Sequence, residues 1–226
     1  MGVPVGRWPD PASLTFHLRR VLEQLRIDLV LDVGAHRGEY ATLLRRDAGY
    51  TGDIISFEPA ADAFEELQSQ AAHDPRWRIE QVALGDEPGT GRLQHYHQST
   101  LNSLRSPSRF GSDVWHLQSG HSEDVIVARL DELDLPLGPQ SAPLLKCDTQ
   151  GFDLQVLNGA QGILEHVVAL QFEIPMIRLY EDAADFQSML GWVEAMGFAV
   201  SGVFPVAHDE HLRLVELDCV AVRSGS

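Results

Sequence analysis

The sequence predicts an α/β domain whose mostly parallel β-sheet has helices on both faces and ends in an antiparallel edge hairpin. Short apolar runs alternate with segments whose apolar residues recur every three or four positions, the pattern of strands followed by helices. The last two apolar runs, 198–206 and 212–223, are separated only by the polar segment AHDEH, which favours a hairpin. With 226 residues and 44% hydrophobic content, we expect a single domain over 1–226.

Composition restricts the partners. The chain has 33 acidic and 17 basic residues, a formal charge of -16, which disfavours nucleic acid and anionic membranes as partners. No basic start precedes an apolar run, and no eighteen apolar residues occur together, so we expect neither signal peptide nor membrane span. Cys147 and Cys219 lie in apolar runs, where a thiol serves as a small hydrophobe. These features favour a cytoplasmic protein, and homo-oligomerisation stays open.

The first half of the chain begins with a helical extension over 1–28, for which Ser13 is the predicted N-cap. The segments LVLDVGAHRGEY and DIISFEP each read as a strand that turns towards a helix, and RWRIEQVAL reads as a third strand ending at Gly85. Over 86–124 the pattern weakens. One short strand is predicted at Arg92 to Tyr96, and the rest is predicted to be a long loop that builds the acceptor pocket.

Order is predicted to return with VIVARLDELDL and then with the strand LLKC. The segment FDLQVLNGAQGILEH is predicted to be helical, and VVALQFEI to be a strand. A last helix follows from Phe186 and ends at Gly197. Ligands of such sheets bind beyond the carboxyl ends of the strands, where the strand order reverses.

A nucleotide-like site is predicted at those ends. Gly34 and Gly38 occupy the first strand-to-helix turn, and Glu58 ends the second strand, where a carboxylate can accept both ribose hydroxyls. This pattern suits a dinucleotide or S-adenosylmethionine. His36 stands where a dinucleotide turn needs its second glycine, and Asp32 would repel pyrophosphate but attract an ammonium and a sulfonium. The methyl donor is therefore favoured.

Three alternatives remain open at this point. In the first alternative no nucleotide binds there, the two glycines serve only to form a tight turn, and Asp32 caps the helix. The chain would be a nicotinamide-dependent oxidoreductase if the dinucleotide interpretation holds. It would be a noncatalytic nucleotide-binding or assembly module if only the fold has been kept.

From about Leu29 to Val222 the chain resembles the FkbM-type family of S-adenosylmethionine-dependent methyltransferases. The resemblance is carried, in this order, by LDVGAHRGEY, SFEPAADAFEEL, VALGDEPGT, STLNSL, RLDEL, LLKCDTQGFDLQVLNGA and FEIPMIRLY. It implies a class I, Rossmann-like methyltransferase fold. It also implies O-methylation of a hydroxyl on a small-molecule or glycan acceptor, namely a sugar, a glycan or a polyketide-like natural product.

The resemblance assigns S-adenosylmethionine contacts residue by residue. The methionine part falls at the first turn, the ribose at Glu58, and the adenine beside Ala83 and Leu84. His36 stands where asparagine is commoner in the family, and Asp153 where glutamate is commoner. Ser103, in STLNSL, is a further binding candidate, although a set of turn caps would explain that segment equally well. The complete set of predicted cofactor-binding residues is Asp32, Gly34, Ala35, His36, Gly38, Tyr40, Glu58, Pro59, Ala83, Leu84 and Ser103.

The predicted catalytic residues are Asp148, Lys146 and Glu173. Asp148 ends a central strand, so we expect its carboxylate to orient or deprotonate the acceptor hydroxyl. Period-two alternation puts Lys146 and Asp148 on one face, where they can neutralise each other. Lys146 can alternatively pair with Glu173, and a purely structural ion pair is an equal alternative for those two residues.

The ten histidines predict no metal centre. Those between 95 and 121 fall in the predicted loop, where exposure is the commonest outcome, although one can serve as a base. The cluster HDEH, at 208–211, fits a polar hairpin tip and lacks the spacing of a helical HExxH pair. A cation bound by Asp148 and Glu173 is conceivable, but the sequence shows no complete ligand set.

Overall fold

The computed structural model describes residues 13–117 and 120–225. The strands are β1 Leu29–Val33, β2 Asp53–Phe57, β3 Trp77–Glu80, β4 Ala83–Leu84, β5 Gly89–His95, β6 His121–Ala128, β7 Leu144–Cys147, β8 Ala169–Pro175, β9 Phe198–His208 and β10 Leu214–Arg223. The α-helices are α1 Leu14–Gln24, α2 Glu39–Leu43, α3 Ala61–Ala71, α4 Arg109–Val114, α5 Asp153–Asn158 and α6 Phe186–Ala195. A π-helical turn, Leu44–Ala48, continues α2, and short 3₁₀ turns cover Ser99–Leu101, Leu130–Glu132 and Gln161–Ile163.

Seven strands form the main sheet in the order β3-β2-β1-β7-β8-β10-β9. The five strands from β3 to β8 pair in parallel, and β10 pairs antiparallel with both β8 and β9. The predicted parallel sheet with a C-terminal hairpin is therefore confirmed. The strand order reverses between β1 and β7, so the residues that follow these two strands meet at one edge.

Both faces of the main sheet are covered, because successive side chains of a strand point to opposite sides. In β1, Leu29, Leu31 and Val33 join the core on the side of α5 and α6, whereas Val30 joins the core formed with α1, α2 and α3. Ser13 caps α1 as predicted, since its hydroxyl accepts from the Phe16 amide at 3.3 Å. Gly197 adopts a φ of +79° directly after α6, as the predicted helix stop requires.

Two expectations about the middle of the chain were wrong. The run RWRIEQVAL is two strands, because β3 belongs to the main sheet and β4 to a second sheet of order β4-β6-β5. The segment 86–124 is also more ordered than predicted. The strand expected at Arg92 to Tyr96 is the end of the longer β5, which pairs along its whole length with β6.

Part of the predicted organisation falls outside the described residues, namely 1–12 of the N-terminal extension and 118–119 of the predicted loop. Of the helices that the structure describes, none is long and apolar enough to cross a membrane.

Candidate functional site

A cavity of about 410 Å³ opens at the carboxyl edge of the main sheet, where the strand order reverses. Its walls come from the turn after β1, the ends of β2, β4, β7 and β8, the middle of β10, and the segment 99–104. Of the predicted site residues, twelve line it: Gly34, Ala35, His36, Tyr40, Glu58, Pro59, Ala83, Leu84, Ser103, Lys146, Asp148 and Glu173. Asp32 and Gly38 do not.

The turn after β1 is held by backbone contacts within the protein. The amides of Gly34 and Ala35 both donate to the carbonyl of Phe57, at 3.0 and 3.1 Å. Gly34 has a φ of +74°, and a Cβ there would overlap the carbonyl oxygen of Asp148. Gly38 has a φ of +92°, and a Cβ there would press on Trp77. Both glycines are therefore explained by the approach of other protein atoms, in addition to any role towards a ligand.

Glu58 forms a buried acidic corner of the cavity. One carboxylate oxygen accepts from the His36 amide and the other from the Ala60 amide, both at 2.8 Å. Burial raises the pKa of Glu58, while these two hydrogen bonds oppose the rise. Because a carboxylate has about four acceptor positions, Glu58 keeps capacity for ligand hydroxyls.

His36 links the first turn to the segment 99–104. It adopts a φ of +49°, in the left-handed region that histidine visits more often than most residues. Its Nδ1 lies 3.1 Å from Glu39 Oε1, and its Nε2 lies 2.9 Å from the hydroxyl of Ser99. The side chain thus ties a 3₁₀ turn over the cavity to the sheet edge, a contact between residues 63 positions apart.

One part of the cavity lining is apolar. Ala83 and Leu84 are buried at the end of β4, and the side chains of Leu93 and Phe152 also line this part of the cavity. Such a slot can hold a flat aromatic group by burying both of its faces.

Asp32 and Lys146 form a buried ion pair below the cavity floor. Lys146 Nζ lies 3.0 Å from Asp32 Oδ1, and Asp32 also accepts from the hydroxyl of Ser56 at 2.9 Å. Asp32 is 0% exposed. The expectation that the Asp32 charge faces a bound ammonium or sulfonium is therefore corrected, because Lys146 already neutralises it.

Lys146 also supports the first turn directly. Its ammonium donates to the carbonyls of Gly34 at 2.9 Å and Val33 at 3.3 Å, and it lies 5.3 Å from the centre of the Tyr40 ring. Burial disfavours the charged form, but the attraction of Asp32 and Asp148 outweighs it and raises the pKa of Lys146 above its ordinary value. Lys146 therefore stays charged.

The predicted alternatives for Lys146 have different outcomes. Its distance to Asp148 is 3.8 Å, so the same-face pair exists but is longer than the pair with Asp32. The alternative pair with Glu173 is not formed. Gln150 occupies that place, since its Nε2 donates to Asp148 at 3.0 Å and to Glu173 at 2.9 Å.

Asp148 is half-exposed at this edge, with 41% of its side chain accessible. Glu173 lies deeper, and burial followed by repulsion from Asp148 raises its pKa well above the ordinary value. Asp153 lies in the first turn of α5, at the positive start of that helix. Burial and then Asp148 raise its pKa to about 7.

Ser103 lies at the cavity but makes its hydrogen bonds within the protein. Its hydroxyl donates to the Gln150 carbonyl at 2.7 Å and accepts from the Arg105 amide at 3.0 Å. The side chain is 1% exposed. These contacts fit the turn-cap alternative and fix the segment 99–104 against the turn after β7.

The polar cavity residues that sequence reasoning missed include Gln150, Gln171 and Asp218. Tyr40 donates to Gln171 Oε1 at 2.7 Å, and Gln171 donates to Asp218 at 3.4 Å. The signal for Asp218 was available, because an acid inside the apolar run LVELDCVAV is as unusual as Lys146 in LLKC.

The histidines of the middle segment lie at a separate, open crevice. Its lining includes His95, His97, His116 and His121. His95 is paired with Glu123 at 2.9 Å and stacks on His121 with ring centres 4.2 Å apart. Among the described residues, no group of three or more His, Cys, Asp or Glu side chains is arranged to hold a metal ion.

Comparison with known proteins places this geometry in context. The family model described as Methyltransferase FkbM domain matches residues 32–200. The chain is 29% identical over 168 residues to the 31-O-demethyl-FK506 methyltransferase FkbM of Streptomyces tacrolimicus, an alignment covering 64% of each protein.

Two solved structures share the fold. Methyltransferase FkbM from Methylobacillus flagellatus KT aligns with a TM-score of 0.54 and 17% identity, over 87% of this chain and 43% of that one. The ribosomal protein L11 methylase from Lactobacillus delbrueckii subsp. bulgaricus aligns with a TM-score of 0.51 and 9% identity, over 96% of this chain and 80% of that one. The predicted class I methyltransferase fold is confirmed. The chain spans 64% of the curated relative's length and less than half of the FkbM structure.

Proposed function

Because this chain belongs to the FkbM family of methyltransferases, we propose that it is an S-adenosylmethionine-dependent O-methyltransferase. The proposed acceptor is a hydroxyl of a sugar, a glycan or a polyketide-like natural product. The relative from Streptomyces tacrolimicus is named for methylation at an oxygen, which supports an oxygen acceptor. The nicotinamide-dependent alternative is set aside, since the matched family is one of methyltransferases.

The carrying observation is the composition of the cavity at the switch point of the sheet. The cavity combines the Glu58 carboxylate, which can accept hydrogen bonds from ribose hydroxyls, an apolar slot beside Ala83 and Leu84, and the half-exposed carboxylate of Asp148. Its volume of about 410 Å³ lies in the range of about 300–1,000 Å³ usual for small-molecule sites. The residues present therefore fit the donor.

Each wall has a proposed task. Glu58 accepts hydrogen bonds from the ribose hydroxyls, and Ala83, Leu84 and Phe152 cover the adenine. The turn at Gly34 and Ala35 holds the methionine part. S-adenosylmethionine, when bound, would supply a methyl group on a positively charged sulfur. Transfer of this methyl group to an oxygen nucleophile breaks the bond between carbon and sulfur and leaves S-adenosylhomocysteine.

Asp148 is the proposed base for that displacement. Its carboxylate accepts the hydroxyl proton as the oxygen forms its new bond, and Gln150 holds it by donating to Oδ1 at 3.0 Å. The other oxygen lies 3.8 Å from Lys146. The proposed base therefore lies beside a positive charge.

Calorimetry and methyl-transfer assays test the proposal together. We expect S-adenosylmethionine to bind the wild type and Glu58→Gln to bind it about tenfold or more weakly, because a charged acceptor of ribose hydroxyls is lost. The control Glu65→Gln changes an exposed acid of α3 and is expected to bind normally. Asp148→Asn is expected to bind the donor but lose most methyl transfer. Failure of the wild type to bind the donor would sink the proposal, and normal turnover by Asp148→Asn would remove Asp148 as the base.

A further inference from the structure

Three carboxylates cross the cavity wall in one row, which we call the acidic row: Asp148, Glu173 and Asp218. Asp148 follows Cys147 and Glu173 follows Phe172, and these two predecessors are register partners in β7 and β8. Glu173 in turn is the register partner of Asp218 in β10. Neighbouring strands lie about 4.8 Å apart, so the three side chains share one face at that spacing.

The acidic row has no free cation to balance it. Of the described residues that line the cavity, Lys146 is the single lysine or arginine, and its closest acid is the buried Asp32. Lys146 also lies 3.8 Å from Asp148, so this one ammonium is shared by two acids. The other partners of the row are amides, because Gln150 donates to Asp148 and Glu173, and Gln171 donates to Asp218. A neutral amide offsets only part of the repulsion among carboxylates at this distance.

Two carboxylates of the acidic row have raised pKa values. Burial first, and then repulsion from Asp148, raises the pKa of Asp218 to about 6 and that of Glu173 well above its ordinary value. The neighbouring acids Glu216 and Asp153 add to the repulsion on Glu173. A positive group placed on the row would relieve this repulsion.

The donor does not supply enough positive charge for this purpose. Its sulfonium and ammonium are partly balanced by its own carboxylate, which leaves about one net positive charge. Because Lys146 already lies between Asp32 and Asp148, this single charge faces Glu173 and Asp218 together, and the acceptor is the remaining molecule at this edge.

Three apolar residues of the same cavity lining, Leu14 of α1, Leu43 of α2 and Val206 of β9, form what we call the mouth. Val206 is 49% exposed, and its strand β9 pairs with β10, which carries Asp218. Apolar side chains in the lining of a polar pocket favour a ligand that is itself partly apolar.

We propose that the acceptor carries a protonated amine beside the hydroxyl that is methylated, on an apolar body. The amine pairs with Glu173 and Asp218, the hydroxyl lies at Asp148, and the apolar body contacts the mouth. This inference rests on the proposed methyl transfer and names the charge class of its acceptor.

The test uses three matched probes: octyl β-D-glucosaminide, octyl β-D-glucoside and octyl β-D-glucuronide, which differ in carrying an ammonium, no charge or a carboxylate. Their binding to the protein saturated with S-adenosylhomocysteine is measured by calorimetry. We expect the glucosaminide to bind about tenfold more tightly than the glucoside, and the glucuronide most weakly.

Asp218→Asn assigns the preference to the acidic row, and Glu165→Gln is the matched control. Glu165 is an exposed acid at the opposite edge of the sheet, before β8. Asp218→Asn is expected to remove most of the ammonium preference, measured as the ratio of the glucosaminide and glucoside affinities, whereas Glu165→Gln keeps this ratio. Added Mg²⁺ is expected to leave the glucosaminide affinity unchanged, and competition by Mg²⁺ would assign the row to a metal instead.

Each other outcome is decisive. Equal affinity for the three probes, tighter binding of the glucoside or glucuronide, no binding of any probe, or an ammonium preference that survives Asp218→Asn would overturn the inference. Loading with S-adenosylhomocysteine is measured first, so a failure to load contradicts the proposed function, whereas successful loading without ammonium preference contradicts only the acceptor class.

Discussion

Replacing Lys146 by methionine separates a positioning role of this lysine from a catalytic one. The ammonium lies 3.0 Å from Asp32, and the two side chains are 5% and 0% exposed. Removing one partner of such a pair leaves a buried charge without compensation, which costs about 3–5 kcal/mol. The carbonyls of Gly34 and Val33 lose a donor as well.

The expected shift in melting temperature follows from the size of the chain. For domains of this length, each kcal/mol lowers the midpoint by about 2–4 °C, so Lys146→Met is expected to melt about 10 °C below the wild type. Urea unfolding at neutral pH gives the same free energy directly. Donor affinity is expected to fall too, because the turn at Gly34 loses its support.

The double variant Asp32→Asn with Lys146→Met is the internal control. It removes the buried charge together with its partner, so we expect it to regain most of the lost stability. The positioning role would be refuted by a Lys146→Met variant that loses turnover although it binds donor normally and its free energy of unfolding lies within about 1 kcal/mol of the wild-type value. That result would make Lys146 a participant in the reaction.

Two further predictions concern backbone and protonation. Gly34→Ala is expected to prevent folding or to abolish donor binding, because its Cβ would overlap the Asp148 carbonyl at a position with a positive φ. The control Gly89→Ala has nothing within 4 Å of the new Cβ, and circular dichroism is expected to show that it folds normally. The free energy of unfolding is expected to fall as pH rises from about 5 to 8, since buried Asp153 keeps its proton up to a pKa of about 7 while the unfolded chain releases it near pH 4. In Asp153→Asn this fall in the free energy of unfolding between about pH 5 and 8 is expected to be smaller by about 2–4 kcal/mol, measured by chemical denaturation at each pH. The same pH dependence in the variant and the wild type would contradict this role of Asp153.

Local pattern was sufficient for the main sheet and for the location of the site. Short apolar runs identified β1, β2, β7 and β8, and the parallel arrangement then brought their carboxyl ends together. The positions of Glu58 and Asp148 at the cavity follow from that step alone, because each comes directly after its strand. No knowledge of the register was needed.

Register was required for the ion pairs, and the sequence pattern does not encode it. Asp32 and Lys146 are register partners in β1 and β7, yet they are 114 positions apart in the chain. Local alternation could pair Lys146 only with Asp148, two residues away on the same face. The contact between Gln150 and Glu173 was missed for a related reason, since Gln150 reaches Glu173 from a turn at a φ of +52°.

The second sheet was missed because its strands are short or partly polar. β4, Ala83–Leu84, is only two residues long and is separated from β3 by Gln81 and Val82 alone, so it reads as a continuation of β3. In β6, His121 to Asp124 are polar, and their pairing with β5 supplies the order that side-chain pattern does not show.

The polar side chains of the main sheet lie in two layers, a deeper one that contributes to stability and an outer one that faces the ligand. Asp32, Lys146 and Gln171 are register partners across β1, β7 and β8, and the acidic row lies two residues further towards the edge. Two residues of a strand span about 6.6 Å, and the ammonium of Lys146 reaches one acid in each layer, Asp32 at 3.0 Å and Asp148 at 3.8 Å, which among the described residues leaves Glu173 and Asp218 without an ion pair. Lys146 sits in the deeper layer and is closer to Asp32 than to Asp148. Substitutions in the deeper layer are therefore expected to act mainly on stability, whereas Asp218→Asn in the outer layer acts on ligand affinity.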